Sequence, residues 1–332
     1  RVHSHLEHKN ILGFKALLLG ITDGFSQMLL DFAIVGEKGK KGNYSMTKKE
    51  LERRFVKERS EDEPTAKRVK EYDTDKITLA IEMIRRAIKK GIRFQYVLAD
   101  SWFSCKELIR FIHSRHFHCH YLGALKVGEK GVAKYRFVKK DMTAPALIRH
   151  LKDRKEMKYS RKLKCWYVTA DVRFGDIAVR LFFIRRSKRG PWGGLITTNT
   201  SIDFFEAYRI YSRRWSQEVI HKEAKQLLGL GKCQGRNFTE LIAHTTIVCL
   251  QYNILSFVKR FRDYETIGGL FREVTRDSLE LTITQRIWET IVEIVIAFAN
   301  LFGLTDEEVL MVVVERSDEL AHICENFKLK AA

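Results

Sequence analysis

Short β-prone runs interleaved with amphipathic helices predict an α/β protein: a mixed sheet flanked by helices, with a β-rich insertion and a helical C-terminal region. Three stretches carry that expectation. Apolar runs at 15–21 and 27–35 flank Thr22-Asp23-Gly24-Phe25-Ser26, and Asp-Gly between alternating apolar runs is a hairpin signal. The run 93–99, RFQYVLA, lies between two helical patterns and delivers Asp100 at its carboxyl end, where open α/β sheets place their chemistry. The stretch 208–231 is of helical length and closes on Gly229 and Gly231. As one helix it would set Tyr211, Arg214, Glu218 and Lys225 within an arc of roughly 60°, with Ile220, Ala224 and Leu227 on the opposite side.

Taken in order, residues 1–14 contain His3, His5 and His8 but no cluster of Cys or carboxylates, so they read as a polar loop. Asp23 falls in the hairpin turn and Asp31 within the second strand, and neither is placed as a catalytic acid. Residues 36–75 are a charged insertion in which Thr47 and Glu50 form a capping box. From Lys76, the pattern Ile77, Ala80, Ile81, Ile84, Ile88 marks an amphipathic helix that Gly91 ends. After Asp100, Ser104 with Glu107 predicts the cap of the next helix. His113, His116, His118, Cys119 and His120 crowd together where that helix gives way to a strand at 121–127. Their side chains then diverge, so a structural or surface role is expected rather than a zinc site. Lys126, near the strand's end, is within reach of a nucleic acid.

Residues 128–201 are basic and β-prone, with strands expected at 165–171 and 177–184 and a helix at 144–155. They end in a cationic loop, Arg185, Arg186, Lys188 and Arg189, followed by Trp192. Such a loop suits stacking on an unpaired base beside a backbone-tracking charge. Packing of Trp192 into the core is the other reading. Long helices are expected at 238–262 and 285–302, and a helical tail at 305–330. The organisation predicted is therefore 1–127, a β-rich insertion at 128–201, a helical return at 202–263, and a helical region at 264–332.

Lys and Arg number 60 against 41 Asp and Glu, a net charge of +19, which points to a polyanionic partner with nucleic acid the simplest. The 6 Cys show no CxxC spacing and fit reduced, buried thiols in a cytosolic protein. The most apolar segment, 291–302, is interrupted by Glu293 and is too short to span a bilayer, so no membrane partner is expected.

The order Tyr211-x2-Arg214-x3-Glu218-x6-Lys225 resembles the signature of DDE transposases of the fourth insertion-sequence family, and 96–103, YVLADSWF, resembles the motif around that family's second catalytic Asp. Spacing alone leaves open a plainer role, since Arg214 with Glu218 and Glu218 with Lys222 are i,i+4 pairs worth about 0.3–0.5 kcal/mol each on a solvated helix. The resemblance covers roughly 15–258 and is weakest in the insertion and the tail. It implies a ribonuclease-H-like core with Asp100 and Glu218 as catalytic metal ligands for two Mg²⁺, or Mn²⁺, ions. Tyr211, Arg214 and Lys225 would hold DNA phosphates, with Lys222, Lys126 and Trp192 as further DNA contacts.

The partners implied are double-stranded DNA, both transposon ends and target, and a second copy in a synaptic complex in the bacterial cytoplasm, associated with the nucleoid. The family's first acid sits on a first strand, for which no run here is suited, and the chain starts at Arg1 without Met. The expectation is that this strand, its Asp and any end-recognition domain were encoded upstream, leaving this chain catalytically incomplete. A non-catalytic DNA-binding remnant and a host nuclease with the same core remain the alternatives.

Overall fold

In the computed structural model the strands of the described residues sort into one large sheet and two separate two-stranded ribbons. The structure describes residues 2–4, 8–11, 13–36, 60–114, 119–128, 133–235, 237–262, 264–301, 303 and 305. The expected capping box at Thr47 and Glu50, His5, His116 and His118, and most of the expected tail at 305–330 lie outside the described residues. Two compact units divide the chain, residues 1–263 and 264–332.

The first unit begins with β1 (Val2–Ser4) and β2 (Lys9–Ile11), a small antiparallel pair. β3 (Lys15–Thr22) and β4 (Gln27–Val35) form the expected hairpin, with a register shift between Leu19 and Gly20. Its turn is fixed by Asp23, whose Oδ1 accepts from the backbone N–H groups of Phe25 and Ser26 at 2.9 and 2.8 Å. Alternation splits the ribbon between two helices. Leu17, Leu19, Ala33 and Val35 meet Leu79 and Met83 of α2 (Lys76–Lys89), whose N-cap is Asp75. Leu18, Phe32 and Ile34 meet Phe238 and Ile242 of α7 (Phe238–Phe261). Phe14, Tyr72 and Phe238 close that side edge to face.

Asp31 lies within β4, as expected, where it pairs with Arg68 of α1 (Pro64–Lys70) and with Arg86 of α2, and both arginines also bind Glu71. Asp31 and Glu71 are buried or nearly so, and their charges are matched within the cluster.

The large sheet runs β5 (Tyr96–Ala99), β6 (His120–Leu125), β12 (Gly193–Thr197), β11 (Ile177–Arg185), β10 (Cys165–Phe174), β7 (Lys134–Phe137), β8 (Lys140–Thr143), with β9 (Lys158–Ser160) also on β10. β5 and β6 are parallel and the remaining pairs antiparallel. One face carries Tyr121, Leu181, Phe183 and Ile196 against α2, α3 (Lys106–His113) and α4 (Ala144–Asp153). The other carries Leu122, Phe182 and Leu195 against Phe204 and Ala207 of α5 (Phe204–Ser212). This eight-stranded mixed sheet flanked by helices is the α/β architecture expected, consistent with a ribonuclease-H-like fold. Residues 128–201 are β-rich, and their strands extend the sheet that β5 and β6 begin rather than forming a sheet of their own.

Two local expectations are corrected. Ser104 does not cap α3: the N-cap is Cys105 without a side-chain bond, and Ser104 Oγ instead lies 2.8 Å from the Tyr121 hydroxyl and donates to Ala124 O. The stretch 208–231 is not one helix. α5 ends at Ser212 and α6 (Trp215–Gln226) begins after Arg214, because Arg213 and Arg214 donate to Ile210 and Tyr211, three residues back, tightening the chain into a turn. Gly229 and Gly231 do take positive φ past the helix end. In the second unit, α8 (Ile267–Leu301) begins well before the expected 285.

Candidate active site

A cleft of about 1490 Å³ separates β3 of the ribbon from β5 of the large sheet. Both strands line it along their length, through residues 15–23 and 93–100, while Met83, Ile84 and Ala87 of α2 and Gln217, Ile220 and His221 of α6 form other walls. β3 pairs only with β4, and β5 only with β6, among the described residues. Two strand edges, with the backbone groups that neighbouring strands ordinarily satisfy, thus share one cavity.

Asp100 stands at this cleft, exposed at the carboxyl end of β5. The strand stops there because the chain turns at once: Asp100 Oδ1 accepts the Trp102 N–H at 2.7 Å and its carbonyl accepts the Phe103 N–H at 3.2 Å. Glu218 reaches the same cleft from the first turn of α6; Ile220 and Ala224 of the expected stripe are buried, but Ile220 lines the cleft as well rather than facing away from it. α6 approaches β3 closely. A Cβ on Gly20 would sit 2.6 Å from Gln217 Oε1 and 3.3 Å from Ile220 Cδ1 and Met28 O, so a larger residue there would force α6 or its Gln217 side chain to give.

The turn between α5 and α6 brings three of the four signature residues together. Arg214 NH1 donates to Glu218 Oε1 at 2.9 Å, and its guanidinium lies 5.8 Å from the Tyr211 ring centroid. Burial pushes the Tyr211 phenol up, an effect the Arg214 cation partly offsets and the Asp100 and Glu218 charges reinforce. Tyr211 therefore feels both carboxylates. Arg214 Nε and Gln217 Nε2 are buried beside the cleft with no hydrogen-bond partner among the described residues.

Lys222 and Lys225 are exposed further along α6, away from the cleft lining. Lys225 lowers the affinity of His221 for a proton, second to burial. Lys126 is exposed just past β6. Trp192 is half-buried against the main core, with the Arg185 guanidinium 4.8 Å from its ring centroid. The readings from spacing missed Gln217 and His221, which stand four residues apart on the cleft-facing side of α6. Their signal was present, since Arg214, Gln217, Glu218 and His221 share i, i+3, i+4, i+7 spacing.

Asp100 and Glu218 offer hard oxygen donors, the kind Mg²⁺ and Mn²⁺ take. Among the described residues no group of three or more His, Cys, Asp or Glu gathers at one point.

No protein-family model matches the chain, and no curated protein matches it. Among solved structures it is similar to a piggyBac transposase in a synaptic complex with hairpin DNA, at TM-score 0.36 and 11% identity. The match covers 60% of this chain and 39% of that one.

Proposed function

We propose that this chain is a DNA transposase of the DDE type, acting by phosphoryl transfer to cut transposon ends and join them to target DNA. The observation that carries this reading is that Asp100, at the end of β5, shares one cleft with Arg214 and Glu218, far from it in sequence, with Tyr211 close enough to feel both carboxylates. Asp100 and Glu218 would hold two Mg²⁺ or Mn²⁺ ions together with a third carboxylate. Such ions, when bound, activate an attacking water or 3′-hydroxyl and stabilise the leaving oxygen.

Arg214 is braced by Tyr211 and Glu218 and keeps Nε unpaired, so its planar fork is positioned to clamp a phosphate. Tyr211, with its phenol pushed up, stays protonated at neutral pH and donates a hydrogen bond. Lys222, Lys225 and Lys126 add point charges along the backbone of double-stranded DNA, and Trp192 sits beside the cationic Arg185 loop. A third carboxylate would be suited to an extended segment between β3 and β5, both of which line the cleft. Two such chains hold the paired ends in a synaptic complex.

The test is Glu218→Gln, with cleavage and strand joining scored separately in single-turnover assays with Mg²⁺ or Mn²⁺. Folding and DNA binding should persist while cleavage falls by about 100-fold or more, since an anionic ligand worth several kcal/mol is lost. Undiminished cleavage would return Glu218 to an ion-pair role. DNA binding without metal-dependent cleavage by the parent chain would make it a non-catalytic binder, and cleavage without joining a nuclease.

A further inference from the structure

α7 holds the ribbon with one face and leaves another bare. Phe238, Ile242, Thr245, Val248, Tyr252 and Ser256 are buried. Elsewhere on the same helix Ile247, Leu250, Ile254, Phe257 and Phe261 are 53–70% exposed although each is large and apolar. Ala243, also exposed, extends the row. From Ala243 the steps are four, three, four, three and four, the spacing of a coiled-coil seam. Single exposed apolar residues are ordinary, but a contiguous stripe is the mark of a covered surface.

We propose that this stripe is a twofold interface in which α7 of one copy packs antiparallel on α7 of a second copy. The spacing is the same in both directions. An antiparallel partner therefore sets Leu250 opposite Ile254, Ile247 opposite Phe257, and Ala243 opposite Phe261, a small side chain against a large one. That is the self-complementarity an isologous contact requires. The ends agree as well, since Glu240 lies in the first turn and Lys259 in the last, and antiparallel packing brings the acidic end of one helix toward the basic end of the other.

The area is sufficient. Half-exposed aromatic and aliphatic side chains contribute on the order of 100 Å² each, giving roughly 500 Å² per copy and about 1,000 Å² for the pair, the lower bound of a specific interface. By length and composition α7 could also cross a membrane. However, the side chains of Tyr252, Asn253 and Ser256 are hydrogen-bonded to the ribbon, which keeps that side of the helix inside the protein. None of the stripe residues lines the cleft. The interface is thus independent of the proposed chemistry and is read with no DNA present.

Sedimentation equilibrium of the nuclease-treated 332-residue chain tests it. A dimer in the micromolar range is expected, and it should tighten as salt is added, because two copies of charge +19 repel until screened while the seam is apolar. Leu250→Glu with Ile254→Glu should weaken association by on the order of 100-fold, through unpaired charges at the centre of the seam. Phe257→Glu serves as the second variant should that pair fail to fold. Phe25→Glu, at the exposed hairpin tip, should leave association unchanged. A parent chain that stays monomeric at high concentration and high salt overturns the proposal, whether its stripe is covered by its own polypeptide or binds anionic vesicles. So does a dimer that survives the folded Glu variants.

Discussion

The two edges of the β3–β4 ribbon are finished in different ways. Along β4, side chains of α7 do what a neighbouring strand would do. Asn253 accepts from Leu29 N–H at 2.7 Å and donates to Leu29 C=O at 2.8 Å, so one carboxamide imitates a peptide unit. Ser256 donates to Gln27 C=O, and the Tyr252 hydroxyl joins the Gln27 side chain to Glu223. Along β3, no second strand pairs among the described residues, and the strand lines the cleft instead. A helix can close a strand edge for good, because its side chains leave no room for another strand. An unsealed edge facing a second unsealed edge, that of β5, is suited to added backbone.

The sharpest way to break this contrast is Asn253→Leu. The change is close to isosteric, yet it strands a donor and an acceptor of β4 together, and each unsatisfied buried group costs about 1–3 kcal/mol. A loss of about 3 kcal/mol is expected in urea unfolding, with faster amide exchange at Leu29. Stability unchanged within about 0.5 kcal/mol would mean that the ribbon is held by its apolar faces and that the sealed edge contributes little.

A smaller effect is expected from Tyr252→Phe, which keeps the ring and deletes the hydroxyl between Glu223 and Gln27. One relayed bond is worth about 1 kcal/mol net. Tyr252 is buried and its phenol is pushed up by that burial and by the Glu223 charge, so it stays protonated and donating at ordinary pH. A neutral result here together with a large one at Asn253 would place the seal on the backbone-like bonds alone. Unfolding midpoints of the two variants, measured side by side, decide it.

What could be read in advance was local. The hairpin was legible because Asp-Gly and apolar alternation are written into adjacent residues, and the strand before Asp100 because the helical patterns on both sides leave it no other role. α2 was legible through its apolar period and Gly91, which does take positive φ past the helix end. The break between α5 and α6 was not. No Pro or Gly marks it, Arg213 and Arg214 are sound helix formers, and their neighbours are no worse than middling. The turn answers instead to distant packing, since Phe204 and Ala207 bury on the large sheet while α6 closes on Gly20 of the ribbon. Ser104 was misread for the same reason. A Ser three residues before Glu has the form of a cap, but Tyr121 and Ala124 take its hydroxyl across the fold. The candidate site was legible at Asp100, Arg214 and Glu218 through motif resemblance; Gln217 and His221 share the helical spacing of Arg214 and Glu218, but nothing local singles them out, since they line the cleft only because β3 stands there. Contacts such as Asn253 with Leu29 join residues that no local pattern connects.

The smallest expected effect sits at the hairpin tip, where the sealed strand and the open strand meet. Asp23 is held by the Ser26 and Phe25 N–H groups and by Arg260 of α7, and these partners depress its carboxyl far below the ordinary range, Ser26 and the Arg260 hydrogen bond most. A depressed carboxyl binds protons more readily in the unfolded chain, so its contribution is present above the unfolded value, near 3.8, and is lost as pH falls through the folded one. Asp75, the N-cap of α2, is lowered as well and adds in the same direction. Melting temperature should therefore hold steady well above pH 4 and then drop, the two carboxyls together contributing part of the fall. Asp23→Asn keeps acceptor capacity for the turn but cannot be protonated and loses the charge facing Arg260. It should melt slightly lower than the parent at neutral pH and fall less steeply below pH 4. The site is well exposed, so solvent screening keeps the neutral-pH difference small. Parallel curves for parent and variant through the acid range would show that the tip is not tied to α7 in solution, and would leave Tyr252, Asn253 and Ser256 as the whole of the seal.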